Sequence, residues 1–238
     1  MSLTVLIPAK NECKIILSTL NKIKKKLLNK IKYEIIVIDD FSSDNTFEIV
    51  KKIKNKNIKI FKNKKIGLGG AISEGILRSR NDYVCIFMAD CSDSICDMIN
   101  YYLLAKKNSL DAVFGSRFLK KSKIDGYPFF KLFLNRVFNY FVMIIFFCKF
   151  NDYTNAFKLY KKNFLRSLLP IFSESFNVFL ELPLRAITQK KKYIILPISW
   201  KERKNGSSKF RIRELGSKYF STLIFCFFER IAAYKNSR

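Results

Sequence analysis

The chain has 238 residues, of which 49% are apolar and 15% aromatic, enough to bury a core, which excludes wholesale disorder. Lys and Arg number 45 against 19 Asp and Glu, a net charge of +26 that points to an anionic partner: nucleic acid, a membrane surface or phosphorylated substrates. There is no histidine, which excludes Ser-His-Asp and Cys-His catalysis and every histidine metal or haem site.

The first half alternates strands and helices. Apolar runs at Leu3–Ile7, Tyr33–Ile38, Ile58–Phe61, Tyr83–Met88 and Asp111–Gly115 read as strands. Helical spacing falls between them at Ile15–Leu28, Asp44–Lys54, Gly67–Arg78 and Ser94–Lys107, with Ser43 or Asp44 expected to cap the second. Such alternation predicts an α/β fold, a mostly parallel sheet with helices on both faces. The second half differs. Leu132–Phe150 is apolar nearly all round, Phe176–Thr188 is helical, Tyr193–Trp200 is a strand, and a last helix runs from about Ile212 to Tyr234. No internal repeat or long linker appears. One catalytic-size domain over 1–210, including apolar helices at about 128–150, is followed by a C-terminal apolar helix over 211–238.

Two segments, Val137–Cys148 and Tyr219–Phe228, are apolar but fall short of the roughly 18–20 residues of a spanning helix. They read either as core helices or as helices lying on a bilayer surface. The +26 charge favours an anionic membrane face, although lysine is enriched along the whole sequence. Met1–Pro8 lacks a signal-peptide pattern, and the six cysteines form no C-x-x-C pair. Buried thiols in a reducing compartment and a cytoplasmic location are therefore expected.

Ligands of open parallel sheets bind at the carboxyl ends of strands. The acidic residues of this basic chain collect there: Glu12 after the first strand, Asp39, Asp40 and Asp44 after the second, Asp90 and Asp93 after the fourth. So many carboxylates need a cation or ligand hydroxyls to neutralise them, and a hard divalent metal completed by phosphates is the natural solution. Candidate anion clamps follow at Arg117, Arg136, Arg203 and Lys209. Gly67-Leu68-Gly69-Gly70 fails the dinucleotide pattern, since Ile72 stands where the third glycine belongs. It reads instead as a helix start where backbone passes close to a ligand.

Ordered segments of the chain resemble the family 2 glycosyltransferases of GT-A fold, in the branch of dolichyl- or polyprenyl-phosphate sugar synthases. They are Ile7-Pro8-Ala9-Lys10-Asn11-Glu12, Ile36–Asp44, Gly67–Ala71, Met88-Ala89-Asp90-Cys91-Ser92-Asp93, Gly115–Phe118, Thr154–Lys158, Pro197–Arg203 and Gly206–Phe210. The resemblance implies an inverting transfer of a hexose from a nucleotide-diphosphate sugar, GDP-mannose or UDP-glucose, to a polyprenyl or dolichyl phosphate. It places Pro8, Ala9, Glu12, Asp39, Asp40 and Gly69 around the nucleotide sugar. Asp90, helped by Ser92 or Asp93, would hold Mg²⁺ or Mn²⁺; Arg117 and Arg136 would grip the lipid phosphate; Arg203 and Lys209 would neutralise the leaving diphosphate. The family's Asp-x-Asp is broken here, because Met88 takes the first acidic position. A membrane surface, a small membrane-anchoring subunit or a homo-oligomer are the implied partners.

The chemistry agrees. A phosphate monoester has its second pKa at about 6 and is already mostly dianionic at neutral pH, so it needs cations and alignment rather than a base. A rival family 2 enzyme acting on a sugar hydroxyl would need a base, for which Glu181 is the candidate. A nucleic-acid-binding protein is a distant alternative without zinc-finger or RNA-recognition spacing, and Met88 also admits a membrane scaffold that has lost catalysis.

Overall fold

The computed structural model describes residues 2–201 and 212–235. Strands β1 (Leu3–Ala9) and β2 (Tyr33–Asp39) are buried along their whole length, as continuous apolar runs require. Helices α1 (Ile16–Leu27) and α2 (Thr46–Lys51) and strand β3 (Ile58–Lys62) follow. Then come α3 (Leu68–Arg78), β4 (Tyr83–Ile86), α4 (Ile95–Lys107) and β5 (Ala112–Ser116). The second half holds β6 (Lys123–Asp125), α5 (Phe129–Phe146), β7 (Lys158–Lys161) and α6 (Lys162–Ser167). It ends with α7 (Val178–Thr188), β8 (Tyr193–Pro197), β9 (Ser199–Lys201) and α8 (Ile212–Lys235).

Seven strands form one sheet in the order β3-β2-β1-β4-β7-β5-β8, and β6 pairs with β9 in a separate ribbon. Every neighbour is parallel except β7, which runs antiparallel between β4 and β5. The antiparallel strand has a functional consequence. Its first residue, Lys158, lies opposite Ile86 and Phe114, so the 151–157 loop emerges at the carboxyl edge of the sheet. Alternating side chains feed two apolar cores. Val5, Ile7, Ile35 and Val37 pack with α1 and α4; Leu6, Ile36, Ile38 and Phe114 pack with α3, α5, α7 and α8.

Some local expectations are corrected. The cap of α2 is Asn45, without a side-chain bond; Asp44 instead binds the Thr46 amide at 2.9 Å and its hydroxyl. The 193–200 strand is two, β8 and β9, parted at Ile198. The 137–148 segment belongs to a longer helix: α5 has 18 residues, long and apolar enough to cross a membrane, yet only 17% of them are buried. Helix α8 is docked on α7. Arg185 binds Glu229 at 2.9 Å, Asn177 donates to Thr222 at 2.9 Å, and Phe172 stacks on Phe225.

Candidate active site

The carboxyl ends of β2, β1 and β4 lie side by side, so the three acidic clusters do share one edge. At the β2 end the two aspartates differ. Asp40 is spent on structure: its Oδ1 accepts from Asn63 Nδ2 at 2.7 Å and from the Gly67 amide at 2.8 Å. Among the described residues, Asp39 accepts only the Ser42 amide, at 3.3 Å through Oδ2, and its buried Oδ1 has no hydrogen-bond partner. Asp39 is thus the acceptor offered to a ligand, because a buried oxygen without a partner is costly unless a ligand supplies one. Ala9 closes β1 beside it and accepts the Asp40 amide at 2.8 Å. Pro8 pairs with Ile38 in the sheet, and the buried Glu12 donates its amide to Thr46 Oγ1 at 2.9 Å. Burial pushes Asp44 up, but hydrogen bonds from Thr46 and Cys13 outweigh it and hold the carboxyl at about 2.

Two expected residues have other work. Gly69 makes its close approach to backbone: its amide donates to the Glu174 carbonyl at 3.0 Å, and a Cβ there would overlap the Ser173 carbonyl. Gly67, at φ +107°, makes the same close approach to Glu174. Glu181 is no base. It is fully buried and accepts from the Phe172 and Ser173 amides at 3.1 and 2.7 Å and from Arg185 at 3.2 Å. Its carboxylate builds the 172–174 shelf against which the glycine turn packs, and it is not part of the lining of the cavity described below.

After β4, Cys91 adopts a left-handed conformation, φ 55°, which lets the Ser92 amide donate to Asp90 Oδ1 at 3.1 Å. Ser94, not Asp93, caps α4 through the Asp97 amide at 3.3 Å. That frees Asp93. It is only 5% exposed, and among the described residues its Oδ1 has no hydrogen-bond partner. Burial first, then the charge of Asp90, push its carboxyl up to about 7. Among the described residues no three acidic or thiol side chains converge enough to hold a metal alone. Asp90 and Asp93 fit a hard cation only if ligand oxygens complete the shell, and the orphaned Asp93 oxygen suits that arrangement.

Asp90, Ser92, Asp93 and Met88 form the polar end of a cavity of about 470 Å³. Its far walls are apolar: Phe138 and Phe141 from α5, Phe176 and Phe179 near α7, Tyr219, Phe220 and Leu223 from α8. Arg117 stands at the junction. Its Nε and Nη2 reach Asp152 at 2.9 and 2.7 Å, and Nη2 also reaches Thr154 Oγ1 at 3.0 Å. Burial alone would lower its affinity for a proton, but the Asp152 carboxylate more than offsets this and keeps it charged. Arg136 does not join it. Its guanidinium lies 4.4 Å from the Phe118 ring centre and 4.5 Å from that of Tyr140, outside the cavity lining. Lys131, five residues earlier and on another face of the helix, lines the cavity instead. Arg203 and Lys209 lie outside the described residues.

Sequence reasoning missed Lys131, Asp152, Trp200 and Lys158. Lys158 is buried beneath the 151–157 loop, its Nζ donating to the carbonyls of Tyr153, at 3.1 Å, and of Asn155. Burial pulls its amine down to about 7 against the opposing pull of Asp152. The available signals were faint: a lone acid after an apolar helix, and a lysine between Phe157 and Leu159.

A parallel sheet ending in acidic turns, with one antiparallel strand beside an amphiphilic cavity, defines the nucleotide-diphospho-sugar transferase (GT-A) class of α/β fold. The solved structure of glucosyl-3-phosphoglycerate synthase from Mycobacterium tuberculosis, in complex with Mn²⁺, UDP and phosphoglyceric acid, has this fold. It superposes with a TM-score of 0.70 at 15% identity, covering 95% of this chain and 78% of that one. Residues 4–169 match the family described as glycosyl transferase family 2, and the chain belongs to that family. Among curated relatives, a dolichol-phosphate mannosyltransferase of Pyrococcus furiosus is 29% identical over 57% of this chain and 39% of its own length. A dolichyl-phosphate beta-glucosyltransferase of Dictyostelium discoideum is 32% identical over 71% of this chain and 56% of its own length. The chain thus spans about half or less of the relatives it matches.

Proposed function

We propose that the chain is an inverting glycosyltransferase that moves a hexose from a nucleotide-diphosphate sugar to a polyprenyl or dolichyl phosphate. One observation carries this reading: a single cavity joins an acidic, donor-facing end to an aromatic wall built from α5 and α8, with Arg117 between them. Such a site suits an amphiphile with an anionic head. The two curated relatives named above act on dolichyl lipids with mannose and with glucose, so GDP-mannose is favoured and UDP-glucose remains a candidate donor.

Pro8, Ala9, Glu12 and Asp39 would line the nucleotide side, with Asp40 holding the Gly67 turn in place. Asp90 and Asp93, with Ser92 at their side, would hold Mg²⁺ or Mn²⁺, which when bound neutralises the donor diphosphate. Arg117 and Lys131 would hold the acceptor phosphate in line with the anomeric carbon, where alignment and charge stabilisation supply the rate. Arg136, stacked outside the cavity, fits a lipid headgroup at the rim better than the acceptor phosphate. The resemblance leaves Arg203 and Lys209 to neutralise the departing diphosphate. The hydroxyl-acceptor rival loses its base, since Glu181 is committed to the 172–174 shelf.

The same reading puts the chain on a membrane surface. Phe130, Phe133, Val137, Tyr140, Ile144 and Phe147 form an exposed stripe on α5, continued by Phe220, Ile224, Phe228 and Ile231 on α8. All six cysteines are free, which supports the cytoplasmic face. A small membrane-anchoring subunit, or a second copy of the chain, would cover whatever part of the stripe lipid leaves bare. The test is glycolipid formation from each donor with Mg²⁺ or Mn²⁺ and polyprenyl phosphate. Asp90→Ala should cut turnover by about 1,000-fold and Arg117→Ala by about 100-fold; full activity in folded Asp90→Ala would sink the reading.

A further inference from the structure

We propose that Asp152 is a positioning residue that aims Arg117 into the cavity and acts only through it. The inference rests on the acceptor reading above. Asp152 is fully buried and is not part of the cavity lining, so it cannot meet a ligand itself. Its Oδ2 accepts from the Arg117 amide at 2.8 Å and from Nε at 2.9 Å, and Oδ1 accepts from Nη2 at 2.7 Å. This bidentate grip consumes one edge of the guanidinium and fixes its plane. Among the described residues, the remaining nitrogen, Nη1, reaches a partner only in the Tyr127 hydroxyl, at a long 3.4 Å. Rings of Phe118, Tyr127 and Trp200 stand 5.5, 5.2 and 5.8 Å from the guanidinium carbon and limit any swing. Tyr127 and Trp200 follow and belong to the β6–β9 ribbon, so the collar is set by the ribbon and the grip by the loop.

The loop itself is braced. Asn139 Oδ1 accepts the Tyr153 amide at 2.6 Å, Asn155 Nδ2 donates to the Gly115 carbonyl at 3.2 Å, and Lys158 holds the Tyr153 and Asn155 carbonyls from beneath. An acid on a loop pinned from three elements cannot follow Arg117; Arg117 must follow it. Without that anion the guanidinium loses both its orientation and its compensating charge.

Trp200 is the only tryptophan in the chain and lines the cavity, so its fluorescence reads occupancy directly. The full chain would be titrated with farnesyl monophosphate and, separately, with uncharged farnesol. Asp152→Asn should bind farnesyl monophosphate about ten-fold more weakly while farnesol binding is unchanged. In an Arg117→Met background, Asp152→Asn should have no further effect on either ligand. Equal weakening of both ligands, or the same loss with Arg117 absent, would show a merely structural role and overturn the proposal. If Asp152→Asn does not fold, Asp152→Glu decides: it keeps the compensating charge but displaces the guanidinium, so about three-fold weaker binding of the phosphate alone supports the proposal, and unchanged binding, or equal weakening of both ligands, overturns it. A wild-type chain that ignores farnesyl monophosphate defeats the acceptor reading and this proposal together; a wild-type response that persists undiminished in folded Asp152→Asn defeats this proposal alone.

Discussion

Helices α1 and α5 are opposites. Along α1, Ile16, Leu20, Ile23 and Leu27 are buried and lysines point to solvent. Along α5, the buried residues are Asn139, Val142 and Phe146, while Phe129 is 83% and Ile144 71% exposed. Asn135 and Asn139 turn their amides inward, to Thr154 and to the backbone of Asn135 and Tyr153. The two helices also sit on opposite faces of the sheet, one in each apolar core. A helix that buries its amides and exposes its phenylalanines is built for a neighbour other than water. Helix α1 presents lysines outward; α5 presents phenylalanines, and its Phe138 and Phe141 line the cavity.

That contrast can be broken by substitution. Replacing Phe133 and Ile144 with serine removes two apolar anchors that do not line the cavity. Each contributes about 1.5–3 kcal/mol when buried, so binding to anionic vesicles should fall about 100-fold with the circular dichroism unchanged. Replacing Lys24 and Lys25 of α1 with glutamine should change vesicle binding by less than about three-fold, since they lie on the far face. A larger effect from the lysines would mean that charge, not the aromatic stripe, sets the docked face.

Behind α5, the account treats Glu181 as structural. Glu181→Gln should lower stability by about 2 kcal/mol in a denaturant titration, because Arg185 loses an anion and two amides compete for one oxygen. The kcat of that variant should stay within about two-fold of wild type; a loss of 100-fold with the fold intact would restore a hydroxyl acceptor.

A further expected effect is one of pH. Burial lowers Lys158 to about 7 from its ordinary value, so the folded state binds fewer protons than the unfolded one above that pH. Stability from this group therefore rises as pH climbs from about 7 toward about 10.4 and is flat below 7. The stability difference between wild type and Lys158→Met should grow in favour of wild type across that window. A difference that is constant with pH would mean that the lysine stays charged in the fold.

The sequence revealed the parallel strands well, because burial on both faces writes an unbroken apolar run, as in Tyr33–Asp39. It revealed the acidic strand ends for the same reason: charge begins where the buried run stops. β7 was illegible as a central strand, since a run that opens and closes on lysine looks like an edge. Long-range pairings were equally hidden. Nothing local marks Asp152 as the partner of Arg117, 35 positions away, or Ser173 as the neighbour of Gly69. Arg136 was singled out as a lone charge in an aromatic run and by the resemblance, whereas the phase of α5 brings Lys131 to the cavity lining. Glu181 was chosen by chemistry, and the packing of the 172–174 shelf decided against it.

The most direct test is transfer itself. The chain on anionic vesicles containing polyprenyl phosphate would be given labelled GDP-mannose, UDP-glucose or UDP-N-acetylglucosamine with Mg²⁺ or Mn²⁺. The account predicts an acid-labile polyprenyl-phosphate hexose from one donor, with the anomeric configuration inverted. Label that appears only in a lipid-free glycan, or no lipid product from any of the three donors, would contradict it.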